Sequence, residues 1–540
     1  MRRALAWAAL VVPLLAFALI PLARLLAGAQ PSALLDERSL LGLRGTALTS
    51  LGAAALAFAL GLPLSLLIER CELPGRPALR ALFTLPAALP PFVFAMGWVA
   101  LANPSAGWLN QLLHAKLFDV YGAGGIAFVL GVSGTPLVYL ACRAALQRVD
   151  SSLEEAARIC GAGPLRTLVT ISAPLAMPAA LSGAALVFLF AASAFGVPYL
   201  LGVTATPPTH TLTTLAYSQL LTGPHGLSQA AALAIWLLLL ATVVLALAEW
   251  LGRRARTAIS VGKGLALRPM SLGRWRAPAF AAVCALALLA VLLPLGAVAL
   301  TSLQPSYGRF DGLTMRHWSA QLTHPRTLAA AARSLMLALG AGATVTLGGL
   351  GYALLGRRSS WLAKAPRLLS SWPYAVPGTV LALALVLSFS RDLRFVFADR
   401  FALVLALANT LWLVGVAYVV KHLALGTRNA AEGLARADPS LAEAARLSGA
   451  GPLRAFFDAT LPQLRPALAA GFTVTFLACA TEMTMSVLLA PTGKDLLGTL
   501  LFETMSYADP NGAAVLACAF VLLVGAGLSV QAWLTREAAR

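Results

Sequence analysis

The sequence predicts an all-α polytopic membrane protein of about twelve transmembrane helices, built as two parallel six-helix repeats. Three observations carry that prediction. The 540 residues are 59% hydrophobic and only 11% charged, with a mean hydropathy of +0.81. That is too little charge to cover a soluble protein of this size. Apolar runs long enough to cross a bilayer recur along the chain, and one charged segment occurs twice, 288 residues apart.

Residues 4–23, ALAWAALVVPLLAFALIPLA, form 20 residues without a charge, enough to cross about 30 Å of hydrocarbon at about 1.5 Å per residue. The same criterion places spans near 4–27, 46–69, 79–102, 124–146, 178–202, 229–251, 277–301, 329–355, 368–390, 400–423, 466–490 and 512–535. The start, MRR before an apolar run, resembles a secretory signal. The run exceeds the apolar core of such signals and Arg24 precedes any cleavage site, so an uncleaved first span is expected.

The formal net charge is +19, but its cations sit in short gaps between apolar runs rather than on a face that could bind nucleic acid. Residues 252–276 hold Arg253, Arg254, Arg256, Lys263, Arg268, Arg274 and Arg276 with no acid, and the gap after the eighth span holds Arg357, Arg358, Lys364 and Arg367. In contrast, 204–228 has no formal charge, and 493–511 sets Lys494 against Asp495, Glu503 and Asp509. The excess of Lys and Arg on cytoplasmic loops then places both termini, and the gaps after spans four, six, eight and ten, in the cytoplasm. The six Cys and six His show no metal-ligand spacing, so no metal site is expected.

SLEEAARICGAGPLR (152–166) and SLAEAARLSGAGPLR (440–454) agree at 12 of 15 positions, and the same offset carries Pro174 onto Pro462 and Leu200-Leu201 onto Leu488-Leu489. Pro86 and Pro90 reappear as Pro373 and Pro377 at an offset of 287. Near-constant spacing over this distance marks duplication of a six-span unit, and an even span number makes the copies parallel. The expected organisation is a first half at 1–251, a basic cytoplasmic linker at 252–276 and a second half at 277–540. Within each charged segment, Ser152 precedes Glu155 and Ser440 precedes Glu443 by three residues, the spacing of a capping box. Gly161-Ala162-Gly163-Pro164 and Gly449-Ala450-Gly451-Pro452 then stop the helix and start another. A short helix, a bend and a second short helix follow, either docking another protein or lying on the membrane. Duplication of the segment at equivalent cytoplasmic positions favours docking.

The pattern Glu-Ala-Ala, three residues, Gly, nine residues, Ile-x-Leu-Pro resembles the signature of permease subunits of binding-protein-dependent ABC importers. Glu155, Ala156, Ala157, Gly161 and Pro174 match it with Ala173 for Leu; Glu443, Ala444, Ala445, Gly449 and Pro462 match it with Ala459 for Ile. The resemblance implies the type I importer fold, with cores near 45–250 and 329–535. It also implies a multi-pass place in the bacterial inner membrane and a coupling helix in each half, seated in a cleft of a cytoplasmic ABC ATPase. Two ATPase copies and a periplasmic solute-binding protein are the implied partners. The chain has no GxxxxGK[ST] phosphate loop. It is therefore expected to be a translocation subunit and not an enzyme, to bind no cofactor, and to leave ATP and Mg to the partner ATPase.

Glu482 in TFLACATEMTMSVLLA stands inside an apolar run, where an ionisable side chain costs several kcal/mol unless it faces a cavity or partner. Thr481 and Thr484 add oxygens beside it. It either lines a pathway or pairs with Arg or backbone. Its counterpart in the first half is Ala194, followed by Phe195-Gly196-Val197-Pro198, which is expected to break span five. AFGVPYLLG and SYADPNGAA are similar to fused ferric-iron permeases, some of which carry Asp where Ala194 stands. Fused thiamine permeases and permeases for aminoethylphosphonate or polyamines share the plan. A secondary transporter without an ATPase is the alternative class, and it would call for more intramembrane charges and inverted repeats.

Overall fold

The computed structural model describes residues 11–258, 269–356, 370, 372–389, 393–397, 401–507 and 509–537. The start of the first expected span at 4–10 lies outside them, as do the gap cations Lys263, Arg268, Arg357, Arg358, Lys364 and Arg367. A backbone in hydrocarbon must satisfy its own hydrogen bonds, and the apolar runs form helices accordingly. Among the described residues, eight helices are long and apolar enough to cross a membrane: Val11–Gly28, Glu37–Arg70, Gly122–Leu146, Pro164–Ser193, Leu227–Arg253, Gly273–Thr301, Pro325–Leu355 and Pro510–Leu534. Leu411–Arg436 and Leu461–Ala480 have the length but are more polar, carrying among others Lys421, Arg428 and Arg465.

Two expected spans take another form. The third is a pair, Arg76–Ala88 and Pro91–Ala102, bent by 101°. The bend falls at Leu89-Pro90, both extended, because a residue before proline is pushed out of the helical region and Pro90 has no N–H to continue the ladder. The tenth, expected at 400–423, begins only at Leu411. Ahead of it, Leu393–Phe397 and Phe401–Leu405 pair as an antiparallel hairpin. A five-residue apolar run such as FALVL suits a strand as well as a helix, and hydrophobicity alone cannot separate them. Of the ninth, the described helix is Gly378–Phe389, starting after Pro377.

The chain divides into two compact units. A first-half unit holds 30–319 and 504–518; a second-half unit holds 1–29, 320–503 and 519–540. In the first-half unit the 37–70, 122–146 and 173–193 helices pack together, and the second-half unit repeats this with 325–355, 411–436 and 461–480. Small residues let the second trio approach closely: a Cβ on Gly349 would lie 2.3 Å from the Gly426 carbonyl carbon. Matching polar hooks tie each trio to a later helix. Thr46 Oγ1 accepts from the Leu212 N–H at 2.8 Å, and Ser334 Oγ accepts from the Leu497 N–H at 2.8 Å.

The opening helix of each half completes the unit of the other. In the first-half unit Leu293–Thr301 lies on Pro91–Ala102, so close that a Cβ on Gly97 would meet the Pro294 carbonyl oxygen at 2.2 Å. In the second-half unit Ile20–Gly28 lies on Gly378–Phe389. There Arg24 donates to the Ser388 carbonyl at 2.9 Å, and the Phe17 and Phe389 rings stack at 5.6 Å.

Candidate functional site

Both copies of the repeated segment fold as its residues dictate, with one correction at the cap. The helices are Ser151–Ile159 and Pro439–Leu447. The N-cap residues are Asp150 and Asp438, whose carboxylates accept from the Ser152 and Ser440 N–H groups, each at 2.9 Å. Ser152 and Ser440 therefore lie inside the helix, at its second position rather than at the cap: an Asp two residues earlier outcompetes them for the free N–H groups. The Ser440 N–H holds the Asp438 carboxyl below the usual carboxylate range, helped by the Ser440 hydroxyl.

At the other end, Gly161 and Gly449 adopt φ of +84° and +87°, a region where L side chains are strained. Ala162 donates to the Ala157 carbonyl and Ala450 to the Ala445 carbonyl, both at 3.0 Å, while the glycine N–H groups reach Arg158 and Arg446. This is the two-bond helix stop that a left-handed glycine permits. Pro164 and Pro452 then open four-residue helices. A wide π-turn follows in each copy, Leu168–Ser172 and Phe456–Thr460, ending two residues before Pro174 and Pro462. The proline's missing N–H leaves a carbonyl of the preceding turn without its usual donor, a common cause of such turns.

The outward faces correspond. Glu155 and Glu443 are exposed, as are Ala156 and Ala444, with Ala157 and Ala445 half-buried. Beside them stand large apolar side chains in the open: Ile159 is 86% exposed and Leu447 89%, with Leu153 and Leu441 near half. Apolar side chains this exposed, at matched positions around an acid, form a surface suited to a protein partner.

The anchors beneath those faces differ, and sequence reasoning passed over them. Glu154, next to the expected Glu155, is buried; Arg70 Nε lies 3.2 Å from its Oε1, and the Ser172 hydroxyl donates to it at 2.6 Å. In the second copy Ala442 stands there. That segment is held instead by Gln463, which accepts from the Asp438 N–H at 2.8 Å. The signal was available, since Glu against Ala is one of only three mismatches between the copies.

The breaks in the later spans also correspond in backbone and differ in chemistry. In the first-half unit the helix stops at Ser193, Ala194 is extended, and Gly196–Pro198 restarts it. Phe195 and Pro198 are buried, and Phe195 lies against Tyr199 and Tyr217 at 5.5 and 4.9 Å. In the second-half unit the helix stops at Ala480 and restarts at Thr484. Glu482 is half-buried there, and its Oε1 accepts from the Met485 N–H at 3.0 Å, capping the restarted helix. Its carbonyl accepts from Ser486 at 2.6 Å, and Ser486 meets the Tyr418 hydroxyl at 2.7 Å. Thr481 bonds back to Leu477, and Thr484 is half-buried. Lys421 donates to the Tyr374 and Val376 carbonyls and lies 5.6 Å over the Tyr374 ring. Glu482 thus has a backbone partner, while Phe195 and Pro198 belong to the other unit.

No group of three His, Cys, Asp or Glu among the described residues could hold a metal ion. A cavity of about 850 Å³ in the second-half unit runs between Phe17, Met336, Thr344, Gly348 and Val420, with no lining contribution from Glu482.

Residues 61–257 and 346–540 both match the family described as binding-protein-dependent transport system inner membrane component. The chain belongs to this family. Among its relatives, the molybdenum transport system permease protein ModB of Escherichia coli (strain K12) is 33% identical over 220 residues, 39% of this chain and 93% of the relative. The Fe(3+)-transport system permease protein FbpB 2 of Haemophilus influenzae is 26% identical over 491 residues, 88% of this chain and 85% of the relative. A crystal structure of a bacterial ABC transporter involved in import of the acidic polysaccharide alginate has 14% identity and a TM-score of 0.39, covering 50% of this chain and 97% of that one. The present chain is thus an ABC importer permease carrying the family's core twice.

Proposed function

We propose that this permease passes ferric iron into the cytoplasm, delivered by an extracytoplasmic solute-binding protein and driven by two copies of a separate ATPase. One ATPase docks at 151–163 and the other at 439–451. ATP and Mg are bound by those partners. Two helix–bend–helix segments with matching stops and matching exposed acids and apolar side chains are the observation that carries this reading. A motor with two copies needs two like handles, and little else in the chain is duplicated so closely.

In this reading both termini and both handles face the cytoplasm, and Glu482, Thr481, Thr484, Phe195 and Pro198 line the route. The likeness to FbpB 2 supports iron because it extends over both halves, whereas the ModB likeness covers the length of one. An oxyanion is the second reading, supported by the higher identity to ModB, and an aminoethylphosphonate permease of Salmonella choleraesuis is 30% identical over 167 residues. Thiamine and polyamine keep only the shared plan.

The test is uptake into cells expressing the permease with its ATPase and binding protein, using labelled ferric iron and labelled molybdate in parallel. Iron uptake that needs the ATPase supports the proposal. Molybdate uptake without iron uptake replaces the solute, and uptake that survives removal of the ATPase sinks the importer mechanism.

A further inference from the structure

The two handles are fastened to their spans by different chemistry. Arg70, the last residue of the 37–70 helix, is 2% exposed, and Glu154 on the first handle is 3% exposed. A cation suits the negative end of a helix, yet burying it demands a partner. Glu154 and the Val149 carbonyl, 3.4 Å from the Arg70 guanidinium, supply that partner. The same helix end is fixed from three other directions. Adjacent Glu69 accepts from Tyr139 at 2.5 Å and from Arg80 at 2.7 and 3.0 Å, with Arg143 at 3.6 Å. Within the linker, Met270 donates to the Arg70 carbonyl at 2.7 Å and accepts from the Glu72 N–H at 2.9 Å.

We infer that the Arg70–Glu154 pair is the joint through which movement of the first handle reaches the 37–70 span, and that the second handle, with Ala442 at the matching position, lacks the acid on which that joint is built. A buried ion pair contributes little net stability compared with apolar residues of the same size, but it fixes geometry. Here it fixes the handle to the one helix end that also holds Tyr139, Arg80 and Arg143. The second handle carries Ala442 at the matching position and is held by the partly exposed amide of Gln463, where the first half has Leu175. Glu154 is therefore a positioning residue, acting through Arg70, while Glu155 remains free to meet the ATPase. This inference rests on the ATPase-coupling reading of the two segments.

The experiment uses the full permease reconstituted with its ATPase and binding protein. It compares wild type with Glu154→Gln and with the double variant Arg70→Met/Glu154→Ala. The double variant leaves no uncompensated charge and copies the second handle's Ala, so it separates loss of the joint from misfolding. In both, ATPase co-purification and ATP hydrolysis are expected to persist, while solute moved per ATP falls about tenfold, the scale of ordinary coupling between sites. Glu154→Asp is expected to restore part of it, and Ala442→Glu to change nothing. Wild-type transport per ATP in the double variant overturns the inference. So does loss of the ATPase together with transport, which would make Glu154 part of the docking surface. Replacing Glu155 and Glu443 together tests the underlying reading separately: if ATPase binding and uptake both survive that change, the coupling reading fails whatever Glu154 does.

Discussion

The two halves of this permease run nearly the same backbone with different side chains in it. Helix starts correspond at an offset of 288, Glu37 with Pro325 and Ala173 with Leu461. Both handles stop at a left-handed glycine, both later spans break at the same place, and both trios carry the same polar hook. Chemistry differs beneath the handles and at the breaks: Glu154 against Ala442, Ala194 against Glu482, and an aromatic group at one break against an acid at the other. Backbone form is held by prolines, glycines and caps, which leave neighbouring side chains free to diverge. A duplicated unit can thus keep two matched surface segments while the side chains at its broken spans diverge.

The largest test of that equality is the handles themselves. Glu155→Ala with Glu443→Ala is expected to abolish both uptake and ATPase co-purification, and each single change to weaken both to a similar extent. A single change as severe as the double would break the equivalence.

The breaks come next. Glu482→Gln keeps the oxygen that accepts from Met485, so the restarted helix is expected to persist while uptake falls about tenfold, the scale of removing one intramembrane charge. Ala194→Gln, at the matching first-half position, is expected to leave uptake within about twofold, inside the range of a substitution that removes no interaction. Equal effects at the two positions would show a symmetric route.

Packing gives a smaller contrast. Gly349→Ala puts a Cβ against the Gly426 backbone and is expected to cost about 1–3 kcal/mol of stability, read by thermal unfolding in detergent. Gly348→Ala, one residue earlier, would meet only Leu423 at 3.6 Å. It is expected to be neutral or to stabilise by a few tenths of a kcal/mol through helix propensity.

Much of this was legible beforehand, for a physical reason. Bilayer hydrocarbon forces apolar runs into helices, so the eight spans among the described residues follow from composition, and Gly161 and Gly449 announce their own bends. The rest depends on competition or distance. Ser152 has the capping-box spacing, but Asp150 takes the N–H first. FALVL reads as span ten until strand pairing claims it. Glu154 looks like a spare acid beside Glu155 because its partner Arg70 is 84 positions away in the chain. Handle positions could therefore be read from spacing, whereas the way each is fastened could not.

The exchange of opening helices bears on how the chain could be divided. A nick within 252–276 would not release two self-sufficient halves. The piece before it would carry 11–28, whose seat is on 378–389, and would lack 273–301, which covers 91–102. Each fragment alone would present an uncovered helix face, and each holds the cover for the other. The pieces are interlocked as well as joined, so fragments made from separate genes have a built-in reason to find one another.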